Sequence, residues 1–361
     1  MDASAEIIAT TRDALRERRQ LVVRGDGSKT GWWPTQVGTL LNVDTHRGVV
    51  AYDPTELVMT VRAGTPITTV VAALAERNQQ LAFEPPQFGG RGTVGGMVSA
   101  GMSGPARMWC GATRDAVLGV KLLNGLGEVL DFGGQVMKNV AGYDVSRLVT
   151  GAWGALGVIL QASLRVQPQT ETTTTLCFDM SAEAAVAKSR QLAGQYLPLT
   201  GSWWCAGQLF LRLSGAHSAV AEAVTELGGE VCDGSALWRG VRDHEHAFFA
   251  ADNAAVAEGA KLWRVIVPPA APLPQNLALP LAIEWGGALR WVWHTEDATV
   301  QQYARAAGGW AWAIGTTQPL DPAQSRLMGR IKDAFDPHNL FATPLSYTPY
   351  TAGGVPHAHG L

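Results

Sequence analysis

The chain has 361 residues and a net charge of −3, with 47% hydrophobic and only 16% charged residues. That length fits about two domains, and a slightly acidic chain without a basic run excludes nucleic acid as the main partner. The start, MDASAEII, carries acids where a secretory signal has Lys or Arg. No run of about 18 apolar residues offers a membrane span, so the sequence reads as cytoplasmic.

In chain order, residues 3–19 predict a helix and 20–24 a strand. "LVMTVRA" at 57–63 alternates and predicts another strand. Thr65-Pro66 reads as a helix start, with Thr65 as N-cap and Pro66 in the first helical position. Ile67, Val70, Val71 and Leu74 follow at helical spacing, and Leu81, Ala82 and Phe83 close a strand–helix–strand unit. Residues 84–104, "EPPQFGGRGTVGGMVSAGMSG", hold more glycine than an ordinary loop. Residues 117–132 predict a hairpin turning at Gly125 and Gly127. A second glycine-rich piece, "GAWGALGVI" at 151–159, leads into the strand "VILQASLRV".

The character changes at 168–175, "PQTETTTT". Strands are then expected at 175–179, 207–213 and near 230, with helices at 181–193 and 217–227. Ser181 is a candidate N-cap and Gly228-Gly229 a candidate C-cap. A helix at 236–250 precedes strands at 261–267, 281–285 and 289–293, a helix at 297–307, a strand at 310–314 and a last helix at 323–335. This alternation predicts antiparallel α+β layers, arranged as two ferredoxin-like halves. Trp291 and Trp293 share one strand face, as do Trp310 and Trp312, which suits either core packing or a subunit interface. Cys110, Cys177, Cys205 and Cys232 are scattered without a CxxC, against zinc or an intrinsic iron–sulfur cluster, and read as free thiols.

What are the glycines for? "RGDGSKT" fails the phosphate-loop pattern GxxxxGK[ST], because Lys29 follows Ser28 and no glycine stands at the earlier place. It also fails GxGxxG, because Thr30 fills the third slot and Pro34 breaks any helix. Separate loops remain. Gly25, Gly27 and Ser28 can supply donors and Lys29 a charge. In Gly92-Thr93-Val94-Gly95-Gly96, Thr93 is placed to cap a helix whose free N–H groups would face an anion. Residues 151–157 give a third close-approach surface. Each loop alone is satisfied by a tight turn; three together suit an extended diphosphate cofactor.

"RGDGSK", "GGRGTVGGMVSAGMSGP" and "KNVAGYDVSRLVTGAWGALGVI", in that order, resemble the FAD-binding domain of the vanillyl-alcohol oxidase, or PCMH-type, flavoproteins. The third stretch is similar to FAD-linked D-lactate and glycolate dehydrogenases. "LMGRIKDAFDPHNLF" resembles their C-terminal segment, and "WGGALRW" with the short length is similar to the FAD-binding E subunits of bacterial glycolate oxidases. The resemblance implies an α+β chain: a PCMH-type domain of two α/β subdomains over 1–168, an antiparallel ferredoxin-like cap over 169–322, and a C-terminal helix and tail over 323–361 returning to the first domain. It places Arg24, Gly25, Asp26, Gly27, Ser28 and Lys29 on the FAD pyrophosphate. Gly92, Thr93, Val94, Gly95 and Gly96 would line pyrophosphate and ribose, and Pro86 would lead towards the flavin. Gly151, Ala152, Gly157 and Ile159 would hold the adenosine half, braced by Tyr143 and Asp144.

Two departures refine that expectation. Covalent members often carry a His in the first loop; Ser28-Lys29 stand there, so non-covalent FAD is expected, with Cys110 the one nearby thiol. The family's 2-hydroxy acid dehydrogenases carry a GHxGDGNxH-like, metal-binding segment, and this sequence has none. Its eight histidines are dispersed: His244 and His246 face different ways on the expected helix, His294 follows a strand, and His357 and His359 lie in the tail. No metal site and no catalytic residue is assigned. The resemblance implies an FAD subunit of a glycolate (2-hydroxy acid) oxidase complex, beside a homologous FAD-containing catalytic subunit and an iron–sulfur subunit, held at the inner membrane through them. The alternatives are a self-sufficient FAD-dependent dehydrogenase, with the substrate carboxylate on Arg62, Arg290 or Arg165, and a scaffold without flavin.

Overall fold

The structure is a computed structural model and describes residues 1–134, 143–250, 256–274, 280–317 and 320–343. Alternating apolar residues in the first part of the chain build a five-stranded antiparallel sheet. Its spatial order is Val49–Asp53, Val58–Arg62, Val158–Arg165, Val117–Leu123 and Val129–Gly133. The helices Ile67–Ala75 and Val94–Ala100 lay Ile67, Val70, Leu74, Met97 and Val98 on this sheet, where they meet Met59, Val61, Leu122 and Leu164. Beside it, Leu21–Arg24 and Thr39–Asn42 form a parallel ribbon, and the helix Ser4–Arg16 packs Ile7 and Ala14 over Leu21 and Leu41.

Three local expectations shift. The first helix stops at Arg16, and Arg18 turns left-handed at φ 54°. Pro66, not Thr65, is the N-cap of Ile67–Ala75, because the Thr65 hydroxyl is occupied by the Gly48 N–H at 2.8 Å. Residues 81–83 are not a strand; the short pairing is Gln79–Gln80 against Gln167–Pro168.

The second part forms one eight-stranded sheet. Its order is Glu230–Cys232, Thr172–Asp179, Gln208–Gly215, Leu199–Cys205, Leu281–Glu284, Leu289–His294, Lys261–Ile266 and Trp310–Ala313. The first four strands, with the helices Ala182–Ala193 and His217–Leu227, make a complete ferredoxin-like βαββαβ unit. The last four repeat that strand order in mirror sequence, with the helix Asp297–Ala306, and the halves join where Trp203 pairs with Glu284. Of the two ferredoxin-like halves expected from the sequence, the first is complete, and the second has the strand order with one crossover helix among the described residues. Ser181 caps its helix by accepting the Ala184 N–H at 3.3 Å. The helix expected at 236–250 is shorter: Ser235–Asp243 ends at His244 in a left-handed conformation, and a 3-10 turn follows at Ala247–Phe249.

Helices cover one face of this sheet, with Ala185, Val220, Val300 and Ala304 against Trp204, Trp263 and Val292. The other face presents Trp203, Trp291, Trp293 and Trp312, and is covered from the glycine-rich part by Trp32, Trp33, Phe88, Met102 and Trp153. The paired tryptophans therefore serve a core, except Trp310, which is 40% exposed. Polar bonds pin this seam. Arg212 holds Glu84 through two bonds of 2.7 and 2.8 Å. The Gln87 N–H donates to Asp243 Oδ1 at 2.7 Å, and Trp285 Nε1 donates to the Gly104 carbonyl at 3.1 Å.

The helix Pro322–Phe335 carries the chain back to the first part. Lys332 is 2% exposed and donates to the carbonyls of Ala155 at 2.7 Å and Phe341 at 2.9 Å, and to Asp336. Asp336 in turn accepts the N–H groups of Leu340 and Phe341, both at 2.8 Å. Lys332→Met strands a buried carboxylate, and urea unfolding is expected to show a loss of about 3–5 kcal/mol. Lys332→Met/Asp336→Asn recovers part of it; a single variant as stable as the parent would refute the role of this pair.

Candidate cofactor-binding cleft

The strand Leu21–Arg24 delivers the chain into a tight turn. Gly25 passes so close to Thr93 that a Cβ there would lie 2.4 Å from Oγ1, and Gly27 adopts φ +72°. The turn is closed by the Thr30 N–H donating to the Gly27 carbonyl at 3.3 Å. Among the described residues, none of the N–H groups of residues 25–29 donates to a protein acceptor. Successive free N–H groups in such a turn form a concave anion site. They line a cleft of about 250 Å³, together with Val22, Val23, Arg24, Thr93, Gly96, Ser99, Trp33 and Trp153. A side chamber of about 50 Å³, lined by Val43, Gly95, Gly154, Gly157 and Ile159, shares Val23, Gly25, Gly96 and Ser99 with it.

Charge in the cleft is positive. The Lys29 ammonium lies 5.0 Å from the Phe88 ring centre and reaches Ser28 Oγ at 3.3 Å. It has no carboxylate partner among the described residues. Loss of water pulls its pKa down to about 8. Asp26 does not offset it, because its carboxylate faces Arg91 at 3.6 Å, and Arg91 also donates to the Asp26 carbonyl at 2.9 Å.

The helix start at Thr93 behaves differently from expectation. Thr93 does cap it, accepting the Gly96 N–H at 3.3 Å. But the Val94 N–H donates to Thr65 at 2.9 Å and the Gly95 N–H to Ala63 at 2.7 Å. The first-turn donors expected to be free are already engaged, so this helix supplies a smooth floor rather than anion donors. Gly95 is glycine for packing: its Cβ would fall 2.7 Å from that of Ala63.

The cleft and chamber gather Arg24, Gly25, Asp26, Gly27, Ser28, Lys29, Thr93, Gly95, Gly96, Gly157 and Ile159 from the expected set. Pro86, Gly92, Val94, Gly151 and Ala152 are not in the lining. Pro86 and Val94 are buried, and Gly92 makes a turn whose Cβ would strike Ile67 at 2.7 Å. Gly151, at φ +87°, donates to Val98 at 3.0 Å, and Ala152 packs on the sheet core. Asp144 caps Val145–Val149 through the Arg147 N–H, whereas Tyr143 is 92% exposed. The three candidate arginines lie elsewhere. Arg62 pairs with Asp2 at 3.0 Å, Arg165 stands opposite Val58 in the sheet, and fully buried Arg290 staples the carbonyls of Ala271 and Pro272, both at 2.6 Å. Cys110 is also outside the lining, its thiol pushed up by burial and by Glu84.

Sequence reading missed Trp33, Ser99 and Trp153, which appeared only as residues among glycines. It also missed a polar cluster in the seam. Arg264, Glu284 and His244 surround a void of about 10 Å³. Burial holds Glu284 up to about 7, against the Trp291 indole N–H at 3.1 Å and nearby Arg264. The Arg264 guanidinium lies over Trp285 at 5.2 Å and Trp291 at 6.0 Å. His244 stacks on Phe88 at 5.9 Å, and burial, then Arg264, brings its pKa down to about 3. The available signal was a charge inside an apolar strand, in "KLWRVI" and "LAIEW". His246 accepts the Phe248 N–H, half-buried His294 is the last residue of the strand Leu289–His294 and accepts the Glu296 N–H, and His357 and His359 lie outside the described residues. Among the described residues, no three His, Cys, Asp or Glu come together to hold a metal, and no helix is long and apolar enough to cross a membrane.

The model of an FAD binding domain matches residues 2–133. Glycolate oxidase subunit GlcE of Escherichia coli (strain K12) is 39% identical over 345 residues, covering 94% of this chain and 96% of that protein. The chain belongs to the GlcE family. Glycolate oxidase subunit GlcD of Bacillus subtilis (strain 168) is 30% identical over 189 residues, covering 51% of this chain and 40% of that protein. The solved alkyldihydroxyacetonephosphate synthase shares the fold, with a TM-score of 0.68 at 12% identity, covering 96% of this chain and 75% of that one. This GlcE-family chain thus has an α+β fold, with an FAD-binding domain and a large antiparallel-sheet domain.

The unpaired Lys29 makes anion binding pH-dependent. An anion in the cleft raises the Lys29 pKa, so binding takes up a proton above pH 8. Affinity for inorganic pyrophosphate is expected to be full below pH 8 and to fall as pH rises from 8 to 10. Calorimetry across that range should show the fall, and Lys29→Met should abolish it; identical curves would refute the assignment.

Proposed function

We propose that this chain is the FAD-carrying subunit of a glycolate oxidase complex. It would hold FAD non-covalently, with the diphosphate on residues 25–29 and the adenosine half towards Gly157 and Ile159 in the side chamber. The observation that carries the cofactor assignment is the run of five N–H groups, residues 25–29, beside Lys29, none of them with a protein acceptor or carboxylate partner among the described residues. Those donors, with a positive charge and with the Asp26 carboxylate turned to Arg91, fit a diphosphate. Non-covalent attachment is supported by Ser28-Lys29 in the first loop and by Cys110 standing outside the cleft lining. Pro86, Gly92, Val94, Gly151 and Ala152 serve as framework beneath these contacts.

Oxidation of glycolate to glyoxylate removes two electrons and two protons. Bound FAD supplies acceptance of a hydride equivalent and release of electrons one at a time. The chain's own part is to neutralise the diphosphate with Lys29 and to keep water from the cleft with Trp33 and Trp153. With no GHxGDGNxH-like segment in the sequence, the acid–base step falls to a homologous FAD-containing catalytic subunit. Electrons leave through an iron–sulfur subunit. This complex would work in the cytoplasm, against the inner membrane through its partners.

A second reading, direct oxidation of a 2-hydroxy acid by this chain, is favoured by one observation. The Arg264–Glu284–His244 cluster places a cation and a near-neutral carboxyl together in the seam.

The purified chain is expected to be yellow, and acid precipitation should release the colour into the supernatant. Colour kept in the pellet would refute non-covalent binding. Alone, the chain should turn over glycolate poorly, with activity restored by the partner subunits. Robust turnover alone, lost in Arg264→Met, would establish the second reading instead.

A further inference from the structure

Trp153 occupies a conformation that its side chain disfavours. Its φ is +53°, and its neighbours Gly151 and Gly154 share that left-handed region at +87° and +80°. A bulky residue at positive φ is an outlier, and glycine would fit there without strain. The conformation is held because the Trp153 N–H donates to the Ser99 carbonyl at 2.9 Å. The indole is half-buried and lines the cleft. Its aromatic neighbour is Trp33, 4.9 Å away and inclined at 74°. Among the described residues no ring stacks parallel to it. Trp33 is itself backed by Trp312, stacked at 4.4 Å and 25°. Trp153 therefore stands against a rigid wall, in the same cleft as the free N–H groups of residues 25–29.

A ligand whose phosphates sit on those N–H groups brings a flat ring with it if it is a nucleotide. We propose that Trp153 is the stacking platform for the planar heteroaromatic ring of that nucleotide. This rests on the FAD reading above, and FAD offers two such rings, adenine and isoalloxazine. Stacking accounts for a strained tryptophan kept among glycines: the ring is retained for its π-face rather than for its backbone. Trp32 and Trp291 extend the same aromatic contact from Trp312 into the sheet, at 5.9 and 6.4 Å.

The test uses the full chain freed of flavin and titrated with FAD, ADP and FMN separately, followed by tryptophan fluorescence and calorimetry. Trp153→Ala is expected to raise the FAD dissociation constant roughly tenfold or more, the range of base–aromatic stacking. Trp153→Phe should recover most of the affinity. If adenine is the stacked ring, ADP weakens and FMN does not; if isoalloxazine is, the reverse holds. Trp153→Gly relieves the strained φ, so its flavin-free melting temperature should stay near that of the parent while FAD affinity falls. Unchanged FAD affinity in both Trp153→Ala and Trp153→Gly would overturn the platform. Equal loss in Trp153→Phe and Trp153→Ala would also overturn it. A parent chain that binds no FAD would instead overturn the FAD reading itself.

Discussion

Among the described residues, one face of the eight-stranded sheet carries from its own unit just the short helix Ser235–Asp243 and the turn Ala247–Phe249. It carries Trp203, Trp291, Trp293 and Trp312, and burying a ring of that size is worth about 2–3 kcal/mol. The glycine-rich unit must therefore dock against it, and the architecture follows from that requirement. Trp32 and Trp33 leave the turn after the cleft and insert into the aromatic layer, so the loop that forms one wall of the cleft is also a fastener between the two units. Glu84 and Gln87 then fix the next loop through Arg212 and Asp243. The cleft is shaped by one unit and held in shape by the other.

Within the cleft, glycine does two separate jobs. Gly25 and Gly95 remove side chains where backbone and helix must touch, and Gly27 supplies a turn conformation. Among the described residues, the first loop leaves a whole run of N–H groups, 25–29, without a protein acceptor, whereas Gly95, Gly151 and Gly157 donate to Ala63, Val98 and Gly154. Division of labour between packing glycines and donor glycines explains why no single glycine motif describes the site. It also explains why a seven-residue helix can border an anion site without donating to it.

Much of this was legible beforehand. Period-two alternation in "LVMTVRA" and "VILQASLRV" marked strands that pair with each other, and strand–helix alternation after residue 172 marked both ferredoxin-like halves. The order of the three glycine loops marked the FAD-binding domain, and the order survived even where individual residues did not reach the cleft. Thr65 was misjudged because a cap and a tertiary acceptor look alike in sequence, and Gly48 claimed its hydroxyl from 17 residues away. The free N–H assumption at Val94 and Gly95 failed for the same reason: carbonyls of Ala63 and Thr65 approach only in the fold. Arg264, Glu284 and His244 lie on a strand, a second strand and a helix end, so nothing local links them.

The C-terminal lock bears on the order of events during synthesis. Leu21, at the foot of the strand that feeds the cleft, donates its N–H to Leu340 and accepts from Ala342 at 2.7 and 2.8 Å. One edge of the strand Leu21–Arg24 is thus completed by residues 340–342, far along the chain. While the chain grows, that edge stands open, and domains otherwise fold as they emerge. The ribbon and its loop can reach their final form only once residues 340–342 have been made. The sheet domain, closed on itself between residues 172 and 313, has no such delay, and it can be waiting when the first strand is finally closed.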